Sequence, residues 1–395
     1  VSTLRAGIAD FGILCAAGDD RAACLASLQA GRRFAPTMCR AKTTGQMLPV
    51  AAVSTPLPTL PVALASFQCR NNAMAAHILA QIQPAIDQCL ARFGPARVAV
   101  VVGSSTSGLD ETERAHRQRQ QNGHLPPGYH FEHQHAMGSL ASFIAQATGA
   151  LGPAYTHSTA CASSARAMLS AAALLHANVA DAVITGGVDT LCDLTVNGFH
   201  ALGALSDAPM NPLSAHRNGL NIGEGGALFV LTRDEAPLVL LGGGESMDAH
   251  HMSAPDPTGL GARLAMERAL QSAGLAASDI AYINLHGTAT PANDAMETLA
   301  VRDLQSAAPI SSTKPMTGHC LGAAGAVEAA LCCLAIAAPK PTMPPHIYDG
   351  AYDPALPPLH VVSAGERFSG CYILSNSFAF GGSNCALVLG SEVTS

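Results

Sequence analysis

Four residues in this 395-residue chain have the types and settings that covalent catalysis requires. Cys161 lies in "THSTACASSARAML", flanked by Ala160, Ala162, Ser163 and Ser164, side chains with almost no bulk. A thiol at a strand-to-helix turn sits by free N–H groups and the positive end of the helix dipole, a setting expected to favour the thiolate. Small neighbours leave room for a substrate carbonyl, and backbone N–H groups there can hold an oxyanion. A buried structural cysteine is the bland alternative. His286 in "LHGTAT" follows an apolar run, while Lys314 and His319 in "SSTKPMTGHCLGAAG" precede an Ala-rich helix. Such positions, at the carboxyl ends of strands, are where open α/β sheets place their ligands.

The surrounding pattern supplies the elements that must hold these residues. "RAGIADFGILCAAGDD" reads as a buried strand and turn, and "RAACLASLQAG" as a helix closed by Gly31. Residues 32–60, rich in proline and hydroxyl residues, read as irregular loop. "NNAMAAHILAQIQPAIDQCLARFG" has helical period, and "ARVAVVVGSSTSG" is a buried strand with a Gly/Ser turn. Residues 114–135, rich in Gln and His, read as an exposed excursion before the helix of "GSLASFIAQATGALGP". "SSARAMLSAAALLHAN" is a helix and "DAVITGGVD" a strand.

A second set starts near Pro237. "PLVLLGGGESM", "IAYINLHGTAT" and "PISSTK" read as strands, and "GLGARLAMERALQSAGL" and "ANDAMETLAVRDL" as helices. The tail "CYILSNSFAFGGSNCALVLG" reads as two strands about a glycine turn. Alternating strands and helices predict an α/β fold with a parallel sheet. In each set a reactive-looking turn opens an Ala-rich helix, which suggests internal duplication. The division is expected at 1–236, carrying the cysteine, and 237–395, carrying both histidines.

Composition narrows the function. The chain is 48% hydrophobic and 12% charged with net charge −7, which excludes disorder and offers nothing to nucleic acid or an anionic membrane. The twelve cysteines show no C-x-x-C spacing, and no basic-then-apolar segment opens the sequence, so a reducing cytoplasm is expected. "CLGAAGAVEAALCCLAIAA" contains Glu328 and stops at Pro339, which fits a buried helix rather than a membrane span.

"TACASS", "HGTATPANDAMET", "SSTKPMTGHCLGAAG" and "NSFAFGGSN" together resemble the signatures of the β-ketoacyl-acyl carrier protein synthases. More narrowly, they are similar to the elongating type with a Cys-His-His triad. The resemblance implies a thiolase-like fold of five layers, αβαβα, built from two related halves and normally dimeric. It implies decarboxylative Claisen condensation without a cofactor. An acyl group passes from acyl carrier protein to Cys161. Malonyl-acyl carrier protein then loses carbon dioxide and attacks it, giving a 3-oxoacyl thioester. His286 and His319 would stabilise the enolate. The N–H groups of Cys161 and Phe380 would form the oxyanion hole. Lys314, paired with Glu297 and assisted by Asp294, would act by charge. Phe380 would gate the pocket, with Phe199, Phe378 and Met137 lining it, and Glu224 would support the site.

Departures from the family pattern bear on pathway. In "SAHRNGLNIGEGGA", Ser214 and Asn218 stand where acids are usual and Leu220 where an aromatic is usual. Both general fatty-acid synthesis and a specialised polyketide or aryl-polyene pathway remain open. So do a homodimer and a heterodimer with a related ketosynthase-like subunit. The chain itself could instead be a non-catalytic chain-length factor, though such subunits usually lack the nucleophile kept here. Priming synthases with Cys-His-Asn, thiolases with a second cysteine, and unrelated cysteine hydrolases explain fewer of these motifs. His130, His133 and His135 in "HFEHQHAMG" lack an obvious fourth ligand, so no metal is expected there. His250 and His251 read as surface loop.

Overall fold

The computed structural model describes residues 4–392. Among these residues twelve strands are present: β1 (Ala6–Cys15), β2 (Thr37–Arg40), β3 (Met47–Val50), β4 (Val98–Gly103), β5 (Ala154–His157), β6 (Ala182–Asp189), β7 (Gly225–Thr232), β8 (Leu238–Met247), β9 (Tyr282–Asn284), β10 (Ile310–Ser311), β11 (Tyr372–Phe378) and β12 (Ser383–Ser391). The helices are α1 (Arg21–Gln29), α2 (Arg70–Phe93), α3 (Leu109–Asn122), α4 (Phe131–Gln134), α5 (Ser139–Thr148), α6 (Ser163–His176), α7 (Asp193–Ala201), α8 (Leu260–Ala273), α9 (Pro291–Asp303), α10 (Lys314–Thr317) and α11 (Ala324–Ala337).

Ten strands join in the order β10-β9-β11-β12-β8-β1-β7-β6-β4-β5. The amino-terminal half contributes β5-β4-β6-β7-β1 and the carboxyl-terminal half β10-β9-β11-β12-β8. Numbered within each half, both run 3-2-4-5-1. The pairing senses match too. In each half strands 2, 3 and 4 are parallel, and strand 5 is antiparallel to strands 4 and 1. This equality of order and sense is the repeat that the sequence only outlines. The sheet is therefore mixed rather than parallel. Strand β7, unrecognised in the sequence, returns antiparallel beside β6, as β12 does beside β11. The halves meet where β1 pairs with β8 through Ala6–Leu240 and Gly7–Val239.

Side-chain alternation produces the layers. Along β4, Val98, Val100 and Val102 face the outer helices α2 and α5, while Ala99 and Val101 face the central layer. Along β12, Ala386 and Val388 face α8 and α9, while Cys385, Leu387 and Leu389 face inward. Helices α1, α6 and α11 fill the middle, which completes the αβαβα thiolase-like stack. Small residues let α6 and α11 approach closely: a Cβ on Gly325 would stand 2.9 Å from the Cβ of Ala165. Among the described residues no helix is long and apolar enough to cross a membrane.

Two segments differ from expectation. Residues 32–60 contain the hairpin β2–β3, whose alternate residues Cys39 and Leu48 pack beside α7. The excursion at 114–135 is largely helical, because Glu, Gln and Arg favour helix even without an apolar stripe. Helix α3 ends at Gly123, left-handed at φ +83°, whose N–H closes on the Arg119 carbonyl.

Candidate active site

Cys161 follows β5 and stands just before α6, after a turn in which Ala160 takes φ +47°. The turn is tight: the Ser163 hydroxyl donates to the Ala160 carbonyl at 2.6 Å and accepts the Thr159 N–H at 2.8 Å. His286 leaves the end of β9. Lys314 opens α10 just beyond β10, and His319 follows Gly318, which turns at φ +66°. A Cβ on Gly318 would stand 2.7 Å from that of Ala51, so only glycine fits. Three strand ends thus deliver one cluster from both halves of the chain.

The Cys161 sulfur lies 2.9 Å from His319 Nε2. The two imidazoles stand edge to face with centroids 5.3 Å apart. All three side chains are buried, yet each borders one cavity of about 380 Å³ that Phe199, Phe378 and Phe380 also line. Rings of Phe199 and Phe380 stack at 5.1 Å across it. Phe380 begins a turn in which Gly381 and Gly382 both take positive φ.

Electrostatics here are set by burial first. Desolvation pushes the Cys161 thiol up to about 12, although the Lys314 charge and the Phe380 N–H both favour the thiolate. Burial thus opposes the thiolate that the small-residue turn is expected to favour. Burial and then Lys314 hold His286 and His319 well below the usual imidazole range, so both rings are neutral. Lys314 Nζ stands 3.5 Å from His286 Nδ1. An ammonium can only donate, so Nδ1 accepts and the proton of His286 resides on Nε2.

This tautomer bears on metals. The Cys161, His286 and His319 ligand atoms lie within 4.8 Å of one another. With Nε2 protonated and a cation at its back, His286 is a hydrogen-bond donor rather than a metal ligand. The other histidine cluster is dispersed: His133 bonds Ser66 and stacks on Phe67 at 4.3 Å, 6.2 Å from the His130 ring. His250 and His251 are exposed, as expected of surface loop.

Several expected neighbours occupy different roles. Lys314 pairs with Glu328 on α11, not with Glu297. Glu297 instead accepts the N–H groups of His286 and Gly287, each at 2.7 Å, and so fixes the loop that bears the histidine. Burial raises both carboxyls to about 7. Asp294 takes the Leu213 N–H at 2.8 Å and lies 3.9 Å from Arg217, outside the lysine pair. Glu224 bonds Arg70 and the N–H groups of Val53 and Leu191, bracing the amino-terminal half away from the cavity. Met137 does not line the cavity; its sulfur accepts from Ser158 at 3.6 Å. Glu328 was legible only as a charge that breaks an apolar run. A buried acid in such a helix needs a cation, and Lys314 was the available one.

The amino-terminal domain model of the β-ketoacyl synthases matches residues 86–236, and the carboxyl-terminal domain model matches 238–347. The chain belongs to the β-ketoacyl synthase family. It is 32% identical over 310 residues to 3-oxoacyl-[acyl-carrier-protein] synthase 2 of Staphylococcus aureus, covering 74% of this chain and 76% of that one. The corresponding synthase 2 of Vibrio cholerae is 33% identical over 318 residues, covering 74% and 75%. Among solved structures, the ketosynthase ApeO in complex with its chain length factor ApeC, from Xenorhabdus doucetiae, is 39% identical. Its TM-score is 0.93, with 98% of each chain covered. A β-ketoacyl synthase from Burkholderia phymatum is 28% identical with a TM-score of 0.85, covering 98% and 99%. This ketosynthase carries the complete Cys-His-His triad of the elongating type and is a condensing acyltransferase.

Proposed function

We propose that this ketosynthase condenses an acyl thioester with malonyl-acyl carrier protein by the following steps. The observation that carries the reading is the sulfur–imidazole contact at 2.9 Å beside a second imidazole whose Nε2–H is fixed by Lys314. As the Cys161 sulfur attacks the acyl carbonyl, His319 Nε2 takes the thiol proton, and the carrier thiolate leaves to be protonated by solvent. The negative tetrahedral oxygen meets the N–H groups of Cys161 and Phe380. The bond from the malonyl methylene to its carboxylate then breaks and carbon dioxide departs. His286 and His319 donate Nε2–H to the enolate oxygen, whose charge holds the proton on His319. The enolate carbon attacks the acyl-cysteine, the C–S bond breaks, and sulfur recovers its proton from His319. One proton is consumed and no cofactor is needed.

Lys314 acts by orienting His286, Glu297 by holding its loop, and Phe380 by gating access. We read residues 1–236 and 237–395 as the two units, the end residues 1–3 and 393–395 lying outside the described structure. The similarity to a ketosynthase solved with a chain length factor favours a specialised pathway and a related subunit as partner. A feature of this chain supports a partner. Strand β5 lies at the edge of the ten-stranded sheet, with its outer side unpaired among the described residues. The twelve free thiols suit a reducing cytoplasm.

Intact mass after exposure to acyl- and malonyl-carrier thioesters tests the mechanism. Wild type gains one acyl group and releases carbon dioxide with chain extension, and Cys161→Ala does neither. His286→Ala retains loading while decarboxylation falls about 10²–10³-fold, the cost of losing one oxyanion donor. Equal loss of both half-reactions contradicts the assigned role.

A further inference from the structure

Helix α7 carries Phe199, one of the two rings that stack across the cavity. Its apolar anchorage is narrow: Val196 packs with Leu48, Leu220 and Ile222, and Phe199 lies partly buried against that cluster. Of its nine residues only Val196 is buried, and its own N-cap residue, Cys192, supplies no side-chain cap. Leu194 and Leu202 are exposed. An open cleft of about 250 Å³, bordered by Cys39, Glu113, Cys192 and Val196, runs beside its first turn.

Polar contacts from two other elements add to that anchorage. From α3, the Glu113 carboxylate accepts the N–H of Asp193 at 2.9 Å and of Leu194 at 2.7 Å. An acid from a different helix therefore caps α7 and meets the positive end of its dipole. Arg117, one turn further along α3, reaches Asp193 at 2.7 Å. From the tip of the β2–β3 hairpin, the N–H groups of Lys42 and Thr43 donate to Asn197 Oδ1 at 2.9 and 3.3 Å. Asn197 Nδ2 in turn donates to the Asp193 carbonyl at 2.7 Å, and Thr44 meets His200 at 2.9 Å. Asn197 thus ties the hairpin to α7 two residues before Phe199.

We propose that Glu113 and Asn197 are positioning residues for the Phe199–Phe380 gate: α3 and the hairpin together fix α7 and thereby the opening through which thioesters reach Cys161. The inference rests on the condensing function proposed above. A helix anchored by one buried side chain and a few hydrogen bonds responds to the loss of one. Removing such a contact shifts a two-state opening about fivefold to tenfold.

The test measures, in the full-length protein, the rates at which Cys161 is modified by small iodoacetamide and by a bulky aryl maleimide, resolved by peptide mass. The ratio of bulky to small rates reports gate width, which a general loss of stability moves for both reagents alike. Asn197→Ala is expected to raise the ratio about fivefold, and Glu113→Ala, on another element, to raise it in the same direction. Asn197→Asp keeps the acceptor for both N–H groups but loses the Nδ2 donor to the Asp193 carbonyl, so its ratio should fall between those of wild type and Asn197→Ala. In a Phe199→Ala background neither substitution should add an effect. With the acyl-carrier thioester, KM should change more than kcat in Asn197→Ala. An unchanged ratio in Asn197→Ala and Glu113→Ala, or an effect that persists without Phe199, overturns the clamp. If wild type neither loads nor extends an acyl group, the condensing function fails instead, and the alkylation ratio still decides the clamp.

Discussion

On the proposed mechanism the Cys161 sulfur is activated in the act of attack rather than beforehand. Its thiol is pushed up to about 12 because burial penalises the anion more than Lys314 and the Phe380 N–H relieve it. Below that value the thiolate fraction grows tenfold for each pH unit. Iodoacetamide modification of Cys161 should therefore climb about tenfold per unit from pH 7 to 9 with no plateau. A plateau below pH 8 would show a resting thiolate and refute this picture. The identities of Cys161, His286, Lys314 and His319 were legible in the sequence, since each stands at a strand end in a small-residue turn. The protonation states were not, because they depend on how much water the folded walls exclude. The partner of Lys314 was misread for a related reason. Glu297 and Glu328 are both fully enclosed acids, and only the crossing of α11 over the site decides which one meets the ammonium.

Helices α6 and α11 explain why the chain spends so many alanines and glycines near its chemistry. At their crossing a Cβ on Gly325 would meet the Ala165 Cβ and the Ser377 hydroxyl, both at 2.9 Å. The Ser164 hydroxyl accepts the Ala326 N–H at 3.0 Å, which fixes the helices in register. Gly325→Ala should cost about 1–3 kcal/mol in urea unfolding, the range for overpacking, and should slow acyl loading because α6 begins just after Cys161. An unchanged midpoint and loading rate would contradict the close approach. The Ala-rich periods announced both helices, but not that they touch one another. The hairpin β2–β3 was hidden because its strands are only four residues each, and α3 because it is polar along nearly its whole length.

Asp189 ties the two halves into one molecule. Fully buried at the end of β6, it accepts the hydroxyls of Ser104, Ser105 and Thr106 at 2.6–2.8 Å and the Gly322 N–H at 2.6 Å. Gly322 lies three residues beyond His319, so this carboxylate anchors the loop of the second half to the turn after β4. Asp189→Ala strands several buried donors and should cost about 3–5 kcal/mol in denaturant unfolding, with Asp189→Asn losing less. Parity between wild type and Asp189→Ala would remove the anchor from the account. Strand alternation was enough to foresee two similar sets. The β11–β12 hairpin was legible from its glycine turn, but the antiparallel return of β7 was not foreseen, since β7 pairs with β6 and β1, which are distant in sequence.

The join between β1 and β8 spans only two residue pairs, yet Cys161 hangs on one side of it and His319 on the other. The working catalyst is thus a property of the fit between repeats rather than of either repeat. An offset of about an ångström between two intact blocks is enough to cost two orders of magnitude in rate. Such a protein can fall silent while every helix and strand is still in place.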